Sequence, residues 1–188
     1  MELCRIWTTP DELQRYLVKE VPAFIATIET RITPLVPELP SLFLDHVCLR
    51  TSTPQEYTRL VWDLLPPIAT LLVESIVGGR SIATFKLKTA ILAGERLVDV
   101  IEIPAPKAGS AYSSGLEHAE FVVPGSLDDF VHSRHPDLVW DLGGYRKTFN
   151  REARLAIGAA DGRAAFSVKF HEMPLETVIE IEKRQGPP

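Results

Sequence analysis

Glu117-His118-Ala119-Glu120-Phe121-Val122-Val123 decides how the chain is read, because it echoes an earlier stretch, Asp45-His46-Val47-Cys48-Leu49-Arg50-Thr51. Each opens with an acid and a histidine and continues as a strand-like run. Each then leads into a helix-start signal, Thr53-Pro54-Gln55-Glu56 after the earlier stretch and Gly125-Ser126-Leu127-Asp128-Asp129 after the later one. A hydroxyl ahead of such a turn can accept its free amide hydrogens. Two histidines heading two similar units predict a duplicated module with its site where the halves meet.

Outward from the earlier stretch, Val47 and Leu49 alternate with His46, Cys48 and Arg50, the period-2 pattern of a strand with two different faces. A helix follows from Pro54, with Tyr57, Leu60, Val61, Leu64 and Leu65 on one side, and Pro66-Pro67 stops it. Thr70–Val77, Ser81–Lys88 and Leu97–Ile103 are rich in β-branched and apolar residues, as strands are, with Gly78-Gly79 turning the first pair. The later stretch repeats the order. Glu117–Val123 predicts a strand, Ser126–Arg134 a short helix, and Leu138–Leu142 a strand turned by Gly143-Gly144. Ala153–Ile157 and Ala165–His171 follow, with Asp161-Gly162 turning between them. Pro174 opens a closing helix carrying Leu175, Val178 and Ile179. Thr177–Glu182 also alternates like a strand, and the helix is preferred.

Ahead of both modules, Thr9-Pro10-Asp11-Glu12 starts a helix whose stripe is Leu13, Tyr16, Leu17, Phe24, Ile25 and Ile28. Pro22 has no amide hydrogen, which predicts a break there and two helices. Pro34, Pro37 and Pro40 predict an extended connector. The expected organisation is a helical preface over 1–40, a first βαβββ module over 41–109 and a second over 116–188 with its closing helix. The fold class is α+β, with a curled mixed sheet around a cleft, in one compact domain.

The chain has 188 residues, 45% of them hydrophobic and 24% charged, the composition of an ordinary globular protein large enough to bury a core. A net charge of −5 argues against a nucleic-acid partner, which calls for a basic surface. No apolar run of about 18 residues is present to span a bilayer, and no basic-then-apolar leader opens the chain. Cys4 and Cys48 are spaced neither as a metal pair nor as a redox motif, which predicts a reduced, cytoplasmic setting.

Asp45-His46 with Leu49-Arg50, Gly79-Arg80, Phe85-Lys86-Leu87, Glu102-Ile103-Pro104-Ala105-Pro106, Glu117-His118 with Glu120, Pro124-Gly125, and Val168-Lys169-Phe170-His171 stand in an order that resembles the YecM family. That family is a branch of the vicinal-oxygen-chelate superfamily of glyoxalases, fosfomycin-resistance proteins and extradiol dioxygenases. The resemblance covers nearly the whole chain. It implies paired modules whose sheets curl around a cleft holding a divalent metal ion.

His46, Cys48 and Arg50 share one strand face, His118 and Glu120 another, and Lys169 and His171 a third. Glu102 stands in an otherwise apolar strand, where an unpaired charge is costly, so a metal or a cation such as Lys86 should meet it. With the resemblance, His46, Glu102, His118 and His171 become candidate ligands of zinc, manganese, nickel or iron. Glu120 admits three roles: second partner to a ligand, proton shuttle, or ion pair with Arg50. Glu102 and Glu120 are the candidate catalytic carboxylates. Arg50, Arg80, Lys86 and Lys169 are candidates for holding a small anionic substrate. The implied activity is isomerisation or lyase chemistry on an oxygen-rich anion beside a coordinated carbonyl, or metal-dependent oxygenation. The rival classes are an anion-binding protein without turnover and an interaction module. Cys48 and Trp7, Trp62 and Trp140 read as packing or interface residues, and His132 with His135 as a solvated pair. Gly78-Gly79-Arg80 and Gly143-Gly144 are turns and not phosphate cradles, since neither opens a suitably spaced helix. No serine stands at a strand-to-helix elbow. Glu180 is expected to face solvent.

Overall fold

In the computed structural model, residues 7–109, 113–134, 138–147, 149–158 and 165–185 are described. Among them are four α-helices and seven strands in mixed parallel and antiparallel pairing, an α+β fold. The chain divides into two compact units, Met1–Phe24 with His46–Glu117, and Ile25–Asp45 with His118–Pro188.

Helix α1 (Pro10–Ile32) is one helix of 23 residues, running through Pro22 without the expected break. Magnitudes decide this. An interior proline costs about 3 kcal/mol, whereas each fully buried Leu, Ile or Val contributes about 1.5–3 kcal/mol. Leu13, Leu17, Val21, Ile25, Ile28 and Ile32 are all buried. The carbonyl that loses its partner belongs to Val18, which is exposed, so water can serve it. At the start, Thr9 Oγ1 accepts from the Glu12 amide at 3.2 Å and the Glu12 carboxylate accepts from the Thr8 amide at 2.7 Å. The proline-rich connector is turned rather than extended, with a short 3-10 turn at Leu39–Ser41 and Val36 and Leu39 buried.

Strand β1 (Phe43–Arg50), which enters the first unit at His46, leads to α2 (Pro54–Arg59), capped by Thr53 Oγ1 accepting from Glu56 N at 3.1 Å. A π-turn, Leu60–Leu64, extends α2 to the double proline. Strands β2 (Ala69–Val77), β3 (Arg80–Ala93) and β4 (Arg96–Pro104) follow, in the spatial order β2-β3-β4-β1. The β4 to β1 pairing is parallel, and the other two are antiparallel. Gly78 and Gly79 both have positive φ, +59° and +78°, as the expected tight turn requires. Tyr57 donates to Glu74 at 2.6 Å, and burial with that carboxylate pushes its phenol well above the usual range.

In the second unit, β5 (Gly115–Val122), α3 (Leu127–His132), β6 (Glu152–Ile157) and β7 (Phe166–His171) come in sequence, with the strands in the order β5-β7-β6. The strand expected over Leu138–Leu142 is absent. It is reduced to a single bridge, Asp141 with Arg154, and the expected Gly143-Gly144 hairpin is a 3-10 turn, Gly143–Arg146. Three observations explain this. Asp141 Oδ1 accepts from Gly143 N at 3.0 Å, a local turn that competes with a ladder. Val139 and Leu142 are exposed, so no buried face holds a strand. A Cβ on Gly144 would stand 2.1 Å from the Glu152 side chain, so Gly144 serves close approach. The Asp161-Gly162 turn and His135 lie outside the described residues. The face of β5 and β7 opposite Glu120 and Lys169 packs Phe121, Phe170, Phe130 and Trp140 as one aromatic cluster, with ring centroids 4.9–6.1 Å apart. Helix α4 (Leu175–Gln185) closes the chain, as the preferred reading has it. Trp62 is exposed and so is not a core residue.

Candidate metal centre

Strands β5 and β7 pair in parallel with His118 beside Ser167, Glu120 beside Lys169 and Val122 beside His171. Registered partners share a face, and Glu120 accordingly becomes the hub of the second unit's polar face. Its Oε1 accepts from Lys169 Nζ at 2.6 Å and stands 3.1 Å from His118 Nε2. Its Oε2 stands 3.6 Å from His171 Nε2. Asp45 joins from the Ile25–Asp45 segment of the same unit. Both of its oxygens accept from Leu175 N, the start of α4, and Oδ2 lies 3.5 Å from His171 Nε2. His118, Glu120, His171 and Asp45 are all buried.

The orientation of His171 carries chemical information. Its Nδ1 lies 2.6 Å from the Met173 carbonyl, which only accepts, so Nδ1 carries the proton and donates. Asn150 fixes that loop from both sides: Oδ1 accepts from Met173 N at 3.2 Å, and Nδ2 donates to Met173 O at 3.3 Å. Nε2 therefore faces two carboxylate oxygens, an arrangement that either a metal ion or a proton on Nε2 satisfies. A metal-bound histidine is commonly held by a carbonyl on its other nitrogen in this way. Metal–ligand bonds of 2.0–2.2 Å place two donors roughly 3–3.6 Å apart, and the separations of 3.1, 3.5 and 3.6 Å fall in that span. Imidazole nitrogens with carboxylate oxygens are also the donor set that divalent transition metals take. The donor types suit such an ion.

The first unit carries its own polar face. Cys48 is in register with Glu102 on β4, which places His46 on the same side, with His46 Nε2 3.9 Å from Glu102 Oε2. Lys86 does not meet Glu102; it pairs with Asp99 at 3.0 Å. Arg50 pairs with Glu117 at 2.6 Å. Arg80 donates to the Ala105 carbonyl at 3.2 Å. The four candidate anion-holding cations are thus spread over separate partners. Cys48 is a buried thiol in no disulfide, with Sγ 3.9 Å from Glu117 Oε2. Glu180 is on an exposed turn of α4 and pairs with Arg184. Sequence reasoning missed Asp45 as a site residue, although its place directly before His46 was a usable signal. The pairing of Lys169 with Glu120 depended on the register of strands distant in sequence.

A family model described as "YecM protein" matches residues 13–140, well over half of the chain. The chain belongs to the YecM family. Protein YecM of Escherichia coli (strain K12) is 25% identical over 94% of this chain and 97% of its own length. An uncharacterized protein of Haemophilus influenzae is 32% identical over 54% of this chain and 55% of its own. A solved structure described as structural-genomics protein EC4020 has a TM-score of 0.69 at 24% identity, covering 92% of this chain and 93% of its own, and shares the fold. No helix among the described residues is long and apolar enough to cross a membrane.

Proposed function

We propose that this YecM-family chain binds a divalent transition-metal ion through His118, Glu120, His171 and Asp45, and acts there on a small anionic, oxygen-rich molecule. The observation that supports this is the His171 ring, whose proton is committed to the Met173 carbonyl while Nε2 faces Asp45 and Glu120. In the first unit, His46 is kept as a separate candidate ligand, because it heads the first repeat as His118 heads the second. Zinc, manganese, nickel and iron(II) all suit the donors. Such an ion, when bound, supplies Lewis acidity toward a carbonyl oxygen. The chain's own work is then proton transfer. Glu120 is held by the Lys169 ammonium at one oxygen and is assigned the role of ligand. Glu102, beside His46, is assigned to move the proton. Isomerisation or a lyase step beside a carbonyl is the reaction class that these roles serve. Binding of an anion without turnover is the weaker reading, because Arg50, Lys86 and Lys169 each already meet a protein carboxylate. A reduced, cytoplasmic setting belongs to this reading, on the ground that Cys4 and Cys48 are spaced as neither a metal pair nor a redox motif.

Equilibrium dialysis of untagged protein against zinc, manganese, nickel and iron(II) tests the site. Wild type should bind one equivalent, and His118→Ala, Glu120→Gln and His171→Ala should each lower affinity tenfold or more, by about 10–100-fold as ligand-shell losses do. His46→Ala and Glu102→Gln read the first unit's share separately. Wild-type affinity no better than that of the triple variant His118→Ala/Glu120→Gln/His171→Ala would sink the proposal.

A further inference from the structure

Strand β2 is the outer strand of the first unit's order, and it pairs on one side only, with β3. A strand so placed offers a row of unpaired amide and carbonyl groups, which folded proteins ordinarily blunt with lysine, proline, a bulge or a covering segment. In the second unit the outer strand β6 is covered in this way, because Asp141 and Arg154 exchange both backbone hydrogen bonds, at 2.9 and 3.0 Å. On β2 a register shift between Leu71 and Val73 blunts the first half. The second half, Val73-Glu74-Ser75-Ile76-Val77, carries no lysine, proline or bulge. Ile76 is 72% exposed and Val77 48%, so two large apolar side chains stand in water on opposite faces. The one charge, Glu74, is engaged by Tyr57 of its own unit.

Backbone alternation decides which groups face outward. Ser81 on β3 stands opposite Ile76 and gives its carbonyl to the Ala105 amide at 2.8 Å, away from β2. Ile76 and Ser81 are therefore a pair that exchanges no hydrogen bonds, and Ile76 turns its amide and carbonyl to the free edge, as does Glu74 two residues back. Among the described residues no backbone group bonds to them there. We propose that this edge is a homodimer interface, in which residues 73–77 of two copies pair antiparallel about a two-fold axis at Ser75. A two-fold interface joins a patch to itself, and this stretch is self-complementary in that register. Glu74 of each copy meets Ile76 of the other with outward groups on both, Val73 meets Val77, and Ser75 meets Ser75. A register about Glu74 would oppose two carboxylates, and one about Ile76 would run off the strand at Val77. So short a ladder is smaller than the roughly 1,600 Å² of a standard interface, so the dimer should build up with concentration and dissociate on dilution.

Sedimentation equilibrium of the full, untagged chain over a rising concentration series should show the mass climbing from one chain towards two. Ser75→Lys opposes two ammonium groups at the axis and should weaken association about tenfold or more. Ile76→Pro removes an outward amide and leaves the bonds to β3 in place, so it should weaken association while keeping the wild-type circular dichroism spectrum. Should that proline disturb the fold, Ser75→Lys, a change at an exposed side chain, still decides the matter. Cross-linking checks the register. On a Cys4→Ser background, oxidised Ser75→Cys should run as a covalent dimer on a non-reducing gel, because residues facing each other in a non-hydrogen-bonded pair lie within disulfide reach. Val77→Cys, one step along the same face, should not. The mass of one chain at every concentration up to the solubility limit overturns the proposal and leaves the edge to a strand of another protein. A dimer that Ser75→Lys keeps at wild-type strength overturns it as well, by placing the interface elsewhere. Cross-linking of Val77→Cys as readily as Ser75→Cys does the same to the register about Ser75.

Discussion

Asn150 shows how much of the centre depends on single residues outside its ligands. It has φ +44°, the left-handed region, which asparagine tolerates better than branched residues do. Its amide holds both backbone groups of Met173, whose carbonyl in turn fixes the His171 ring. Asn150→Val should therefore lower stability by about 1–3 kcal/mol and weaken metal binding, whereas Asn150→Gly should relieve the backbone and still lose affinity. Urea unfolding and dialysis of both variants separate the two effects. Equal metal affinity in all three proteins would show that the His171 ring needs no support from this loop. Glu12 makes a smaller point about charge. Hydrogen bonds from Thr8 hold its carboxyl below the ordinary value. Its help to α1 is thus present above the ordinary carboxylate range and is lost as pH falls through the lowered value. Hydrogen exchange of the first-turn amides should quicken in acid in wild type and change less in Glu12→Gln.

At the scale of elements, α1 and α4 make opposite demands on the sequence. Helix α1 tolerates Pro22 because its buried stripe outweighs one lost bond. Pro22→Ala should restore that bond and raise stability by about 1–2 kcal/mol, less than the full proline penalty because alanine also loosens the unfolded chain. Thermal unfolding reads the gain, and a loss would show that the proline packs in a way that alanine cannot. Helix α4 places Glu180 in solvent, 68% exposed, and its i,i+4 pair with Arg184 is worth only tenths of a kcal/mol. Glu180→Ala should leave metal affinity and stability nearly unchanged, against a loss of tenfold or more in His171→Ala. Matching losses in the two variants would place α4 differently from its described packing. The strand lost at Leu138–Leu142 belongs to this scale as well. Its alternation was visible, but an aspartate turn and a close-approach glycine overrode it.

For the whole molecule, a ligand that binds only the folded chain stabilises it by mass action, about 2.7 kcal/mol at a hundredfold excess over its dissociation constant. Zinc or manganese should therefore raise the melting temperature of wild type, and a chelator should reverse the shift. His118→Ala/His171→Ala should show neither effect; an equal shift in that variant would assign the stabilisation to surface sites. The same scale separates what sequence alone determined from what folding decided. Strand and helix positions in the first unit, the N-terminal helix start, the two acid-histidine headings and the family resemblance were all legible, because each depends on local periodicity, capping or order along the chain. Even the sharing of a face by Lys169 and His171 follows from strand alternation. The partners of those faces were not legible. That Lys169 meets Glu120, that Arg50 meets Glu117 and that Asp45 anchors α4 beside His171 all depend on how segments distant in sequence come together. A shift of one residue would turn each of those side chains to the other face, and no local pattern records which register packing selects.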